Sequence, residues 1–153
     1  MNQINELKDR VNITTLRFLL LGIATAGIYN VLWVYRTNGI IREVTGHKMV
    51  GDAFIFWYAG LMGYGLALGG EGVIAVAGLL CTMASGVLIL IWTFKAREAL
   101  TQYALEEFKL DLKMNAFYCF VFYVFYVNFC INAMEEEKRK QDILFSNINV
   151  GAH

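Results

Sequence analysis

Histidines, cysteines and adjacent glutamates are the residues of this sequence that have the chemistry for metal binding, redox exchange or acid–base catalysis. Cys81, Cys119 and Cys130 all lie inside apolar runs, where a thiol usually packs as a small hydrophobic side chain. Cys119 and Cys130 are eleven residues apart, which is about 16 Å along a helix and too far for a disulfide. The two histidines, His47 and His153, are too few to complete a metal site. The sequence therefore predicts no metal site and no cofactor.

Acidic residues give no better indication of catalysis. Glu106 and Glu107 are adjacent in a charged segment, and paired acids on an exposed helix face are usually only solvated. The sequence has no HExxH, GxSxG, CxxC or P-loop pattern, each of which would indicate a defined catalytic or nucleotide-binding site. We therefore expect no catalytic residue and interpret the chain as a non-enzyme.

The composition is typical of a membrane protein. Of the 153 residues, 58% are hydrophobic and 17% are charged, against about 25% charged residues in an average soluble domain. Thirteen basic and thirteen acidic residues cancel, so no net charge favours nucleic acid as a partner. The chain contains no proline, which suits a bundle of long helices. We expect a single all-α integral membrane domain over residues 1–153.

Four apolar segments without a charged residue organise the chain. They cover residues 18–35, 53–70, 73–94 and 114–134. The second and third are separated only by Glu71 and Gly72, and each is long enough, at about 1.5 Å per residue, to cross a hydrocarbon core of roughly 30 Å. These two segments predict a central transmembrane helical hairpin.

Charge predicts which side of the membrane each connection lies on. Residues 36–52 are expected to form a polar loop and residues 95–113 an amphipathic helix, with three and four basic residues respectively. Because cytoplasmic segments collect lysine and arginine, both are placed in the cytoplasm and the Glu71 turn outside. Residues 135–153 are interpreted as a solvated tail.

Two topologies remain open for the first and last apolar segments. If both span the membrane, the basic residues near the two chain ends lie outside, against the charge rule. If both are re-entrant, the rule is satisfied. The first segment has a plausible bend at Thr25-Ala26-Gly27, since glycine permits the unusual backbone angles of a turn. The last segment has no glycine or proline at which to bend, and a mixed arrangement is a third possibility.

Small residues and amides are the candidate helix-packing and oligomer contacts. They are Gly60, Gly63, Gly65 and Gly69 on the first central helix, Gly78, Thr82 and Gly86 on the second, and Asn30, Asn128 and Asn132 on the flanking segments. Small residues four apart let helix backbones approach closely, and buried amides need hydrogen-bond partners. These faces either join the two central helices or leave one face for another subunit. Asn30 is the expected partner of the two C-terminal amides within one chain.

A motif in the first apolar segment resembles a known family. Residues 25–29, Thr-Ala-Gly-Ile-Tyr, followed by Trp33, Tyr35 and Asn38, are similar to the T-x-G-I-Y-x-x-x-W signature of the bacterial membrane-protein family called domain of unknown function 4234. The resemblance is specific over about residues 20–38. It implies a bacterial inner-membrane location and adds no activity and no catalytic residue.

These observations predict a non-enzymatic, multi-pass inner-membrane protein. We expect it to act by self-assembly or as a scaffold or subunit of a membrane complex; a small oligomeric channel or transporter is the alternative. The expected partners are the lipid bilayer, further copies of the chain and another membrane or cytoplasmic protein.

Overall fold

The computed structural model describes residues 5–68 and 71–150, and these ranges form helices without any strand. The helices are α1 (Glu6–Val11), α2 (Thr15–Ala24), α3 (Ile28–Thr45), α4 (Asp52–Ala67), α5 (Val73–Phe108) and α6 (Ala116–Val150). The all-α prediction is therefore confirmed.

The first apolar segment is two helices joined by a tight turn at the predicted bend. Ala26 and Gly27 have φ angles of 49° and 87°, and the Gly27 N–H donates to the Gly22 carbonyl at 2.8 Å. A side chain placed on Gly27 would contact Met62 near the middle of α4, so the turn packs there. Because α2 has ten residues, it rises only about 15 Å, half the thickness of a hydrocarbon core.

Residues 36–45 are helical, so the predicted polar loop over 36–52 is wrong in its first part. The helix α3 continues through Gly39 and ends at Thr45, where Gly46 caps it with a φ of 69°. Buried Thr37, Asn38 and Ile41 extend the packed face of α3 into this charged segment. Burial of that face outweighs the roughly 1 kcal/mol that one glycine costs a helix.

The central hairpin consists of α4 and α5, and α5 carries the predicted amphipathic segment as its continuation. That segment is helical only to Phe108, so the prediction of a helix over 95–113 is too long. The helix stops because Lys109 adopts a φ of 52° and the Leu110 N–H bonds the Ala104 carbonyl at 3.0 Å. The chain then runs back along α5, where Arg97 donates from Nε to the Met114 carbonyl at 2.8 Å.

The last apolar segment and the charged tail form one helix, α6, as far as Val150. The side chains of residues 135–144 are mostly exposed, as expected for a solvated tail, although the tail is helical. The helix is not straight, because Tyr123 has non-helical angles of φ 42° and ψ −122°. The hydroxyl of Tyr126 accepts the Asn115 N–H at 3.1 Å, and the rings of Tyr118 and Tyr126 lie 5.6 Å apart. The start of α6 therefore folds back on the residues that follow the kink.

The hydrophobic core lies at one end of the molecule, beside the charged half of α5. The largest fully buried side chains include Leu7, Phe18, Ile41, Trp92, Leu100, Ile131 and Met134, which come from α1, α2, α3, α5 and α6. The Phe18 ring stacks on Trp33 at 4.6 Å and approaches Phe125 at 4.9 Å. The Trp33 ring also makes an edge contact with Trp92 on α5, with ring centroids 5.9 Å apart, so this aromatic cluster ties both flanking segments to the central hairpin.

Two described helices, α5 and α6, are long and apolar enough to cross a membrane. The helix α4 is not one of them: it ends at Ala67, and its 16 residues rise about 24 Å, less than the predicted segment 53–70 would. The two are Val73–Phe108, whose most apolar 18 residues have a mean hydropathy of 2.5, and Ala116–Leu144, with 1.6. Only 17% of that stretch of α5 is buried within the chain, and 39% of the one in α6. The core helix of a soluble protein would be mostly buried. The apolar surface of α5 therefore needs cover from outside the chain.

Candidate functional site

One end of the molecule collects the charged parts of four helices. Contacts between segments distant in sequence are Lys8 to Glu135 at 3.6 Å, Arg10 to Glu43 at 2.7 Å, His47 to Glu106 at 3.8 Å and Gln141 Nε2 to the Lys109 carbonyl at 2.9 Å. The His47 contact becomes an ion pair when the imidazole is protonated. These contacts bring α1, the end of α3, the end of α5 and the second half of α6 to the same end, which we call the charged end.

Burial and neighbouring charges shift the pKa values of three side chains at the charged end. Burial, reinforced by the negative charges of Glu6 and Glu107, raises the pKa of Tyr103. Hydrogen bonds to Glu137 and Glu136 raise the pKa of Lys140, and the same contact with Lys140 lowers the pKa of Glu136. Each of these groups therefore keeps its usual charge state near neutral pH.

A buried amide connects the charged end to the central hairpin. Asn38 is 1% exposed; its Oδ1 accepts the Trp92 indole N–H at 3.1 Å, and its Nδ2 donates to the Val50 carbonyl at 2.9 Å. One side chain thus fixes α3 against α5 and against the segment that leads into α4. The sequence motif contained Asn38, but nothing in the motif indicated Trp92, 54 residues away, as its partner.

Asn128 and Asn132 find partners inside the chain, in the connection between α1 and α2 and at the first residue of α2. The Asn132 amide donates to the Ile13 carbonyl at 3.1 Å and to the Asn128 carbonyl at 2.9 Å. Asn128 Nδ2 lies 3.4 Å from the Thr15 hydroxyl. The expected pairing of these amides with Asn30 is therefore wrong, and they do not need a second subunit.

Asn30 lies instead against the backbone of α2. A side chain on Gly22 would come within 2.6 Å of Asn30 Oδ1, so the glycine provides the space that the amide occupies. The Asn30 Oδ1 atom is buried and has no hydrogen-bond partner among the described residues.

The predicted small-residue positions divide into packed and open sites. A side chain on Gly65 would meet Thr82, whose hydroxyl bonds the Gly78 carbonyl at 3.0 Å, and one on Gly78 would meet the Leu68 backbone. In contrast, Gly60, Gly63 and Gly86 have open space around them, and Gly69 lies outside the described residues. The predicted close contact at Gly63 is therefore absent within the chain. A four-residue spacing rotates by about 40° per step around a helix, which turns Gly86 away from the face of Gly78.

No group of three His, Cys, Asp or Glu side chains arranged to hold a metal ion occurs within residues 5–68 and 71–150. The three cysteines are free; Cys119 and Cys130 are buried and Cys81 is partly exposed.

Comparison with known proteins gives one family match. No curated protein and no solved structure matches the chain. The sequence model of the family described as domain of unknown function (DUF4234) matches residues 13–102, which contain α2, α3, α4 and most of α5. The match includes Asn38, Trp92 and the turn at Thr25-Ala26-Gly27. It covers more than half of the sequence, and the chain therefore belongs to the domain of unknown function 4234 family.

Proposed function

We propose that the protein is a bacterial inner-membrane protein in which α4 and the apolar half of α5 cross the bilayer as a hairpin, with the charged end in the cytoplasm. The observation that carries this proposal is the separation of charge along the molecule. The chain has no lysine or arginine between Lys48 and Lys95, whereas the charged end gathers the ion pairs of four helices. Cytoplasmic segments retain basic residues, so this end is expected inside and Glu71 outside.

The α2–α3 hairpin then enters the membrane from the cytoplasm and returns to the same side. Its support is the turn at Thr25-Ala26-Gly27, which packs beside Met62, about 15 Å along α4 from Asp52. Non-helical backbone at that depth is tolerated where protein covers it, and α4 does so. The start of α6, folded back at Tyr123, enters in the same manner. The helix α1 and the second half of α6 then both lie on the cytoplasmic side, where basic residues are retained.

Within that topology the protein acts by interaction, as a self-assembling component or a subunit of a membrane complex. The support is the small buried fraction of the apolar half of α5 and the open glycine positions on α4 and α5. Small residues that contact nothing within the chain permit close approach by another helix. Lipid covers the rest of the apolar surface.

We expect crosslinking in native membranes, followed by mass measurement in mild detergent, to capture an assembly larger than one chain. Asn128→Ala and Asn132→Ala are expected to leave that assembly intact, because their hydrogen-bond partners lie in the same chain. Gly63→Leu is expected to reduce it, because the new side chain fills an open face. A monomer in native membranes, and at every protein concentration in mild detergent, would contradict the proposal.

A small oligomeric channel or transporter is the second candidate. One observation favours it: the Asn30 Oδ1 atom is a buried, unpartnered acceptor close to the helix break of the α2–α3 hairpin. Broken helices at the membrane midplane often line transport sites. Ion flux in liposomes containing the purified protein separates the two candidates. Flux that is lost in Asn30→Leu would support transport, and absence of flux would leave the assembly role.

A further inference from the structure

A pocket of about 190 Å³ lies between α1 and α3, apart from the hydrogen bonds of Asn38 and Asn132. Its lining residues include Val11, Tyr29, Leu32, Trp33, Arg36 and Thr37. The pocket follows α3 for about two turns, from the aromatic and aliphatic side chains at Tyr29 and Leu32 to the guanidinium of Arg36. One end is therefore apolar and the other cationic.

Two side chains of this pocket, Trp33 and Arg36, carry hydrogen-bond donors that have no acceptor among the described residues. The Trp33 side chain is 4% exposed, and its indole N–H is buried with no partner in the part of the chain that the structure describes. Within the same ranges, Arg36 has no carboxylate at ion-pair distance, although Arg10 on the neighbouring helix is paired with Glu6 and Glu43. An unpaired guanidinium and an unpaired N–H both favour an anionic oxygen ligand.

The position of the pocket selects the kind of anion. Arg36 lies two residues before Asn38, and Asn38 bonds Trp92 on α5. Three residues after Trp92, at Lys95, α5 changes from apolar to charged residues. In the proposed membrane topology, on which this step rests, Arg36 is therefore at the headgroup level of the cytoplasmic leaflet. Leu32, 57% exposed, is one turn deeper, among the acyl chains.

We propose that this pocket binds the phosphate headgroup of an anionic phospholipid from the cytoplasmic leaflet. Arg36 pairs with the phosphate, the Trp33 N–H donates to a phosphate or ester oxygen, and one acyl chain lies along Leu32. Trp33 and Arg36 are here ligand-binding residues, in addition to the packing of Trp33 against Phe18. Arginine matches the geometry of a phosphate with two parallel hydrogen bonds, which a lysine does not.

The test is lipid binding by the purified full-length protein in mild detergent, followed by native mass spectrometry. Phosphatidylglycerol is compared with phosphatidylcholine and with inorganic phosphate alone. We expect retention of phosphatidylglycerol over phosphatidylcholine. Arg36→Gln should weaken it about fivefold, the change expected for one basic residue at an anionic membrane surface. Trp33→Phe keeps an aromatic ring and removes the donor, so it should also weaken retention of the lipid.

Arg42→Gln is the matched control, because it removes the same charge from the same helix at a position that does not line the pocket. Equal retention of the two lipids, or an equal loss in Arg36→Gln and Arg42→Gln, would overturn the proposal by showing that only general surface charge matters. Competition by inorganic phosphate as strong as by the lipid would show a free-anion site instead. Any of these results with the protein still in the membrane fraction would leave its membrane association standing.

Discussion

Asn38→Leu is expected to lower the free energy of unfolding by about 2–6 kcal/mol, since it leaves the Trp92 N–H and the Val50 carbonyl without partners at about 1–3 kcal/mol each. Leucine has the same branching as asparagine and a larger volume, so no cavity forms, and the cost comes from the lost hydrogen bonds together with some overpacking of a buried site. Thermal unfolding in mild detergent, followed by helical circular dichroism, measures the change.

Trp92→Phe provides the control for this prediction. The same hydrogen bond is removed by Asn38→Leu and by Trp92→Phe, so the double variant is expected to lose less stability than the sum of the two single losses. Additive losses would mean that the two side chains act independently. A loss below about 1 kcal/mol for Asn38→Leu would show that the amide does not hold α3 against α5.

Gly78→Ala and Gly63→Ala are expected to change stability in opposite directions. A Cβ on Gly78 would lie 2.5 Å from the Leu68 carbonyl oxygen, so the α4–α5 contact must open, at a cost of about 1–3 kcal/mol. At Gly63 the Cβ meets open space, and alanine gains up to about 1 kcal/mol in helix propensity. Both variants make the same chemical change within the same hairpin.

The comparison is made by unfolding each variant at a protein concentration where the chain is monomeric, so that assembly does not contribute. Gly78→Ala should melt at a lower temperature than the unmodified protein, and Gly63→Ala at the same temperature or a higher one. Equal effects at the two positions would show that the close packing of α4 on α5 at Gly78 is not as described.

The features that the sequence predicted are those encoded locally. The central hairpin follows from two uncharged runs around Glu71, and the turn at Thr25-Ala26-Gly27 follows from a glycine that adopts a positive φ. The continuation of α3 into residues 36–45 was not predicted, because Gly39, Gly46 and Gly51 divide this polar segment in a way that is typical of a loop. The buried side chains of that segment were evident only from their packing.

The features that the sequence did not predict depend on long-range contacts. Asn132 bonds the Ile13 carbonyl across 119 residues, so its partner is set by how α1, α2 and α6 meet. Tyr123 has a φ of 42° without any glycine or proline nearby, and local composition therefore gave no sign of the kink. The pocket at Arg36 was likewise not predicted. In the sequence, Arg36 is only one of the three basic residues of segment 36–52 that indicate a cytoplasmic side.

Thiol labelling from the two sides of the membrane tests the central claim, that the charged end lies in the cytoplasm and that the last flanking segment returns to that side. In a chain whose native cysteines are replaced by alanine, single cysteines are placed at Glu71, Gln102 and Arg139. The account predicts that a membrane-impermeant reagent labels Glu71→Cys in intact spheroplasts, and Gln102→Cys and Arg139→Cys only after the cells are opened. Labelling of Arg139→Cys in intact spheroplasts would mean that α6 spans the membrane, and it would contradict the account.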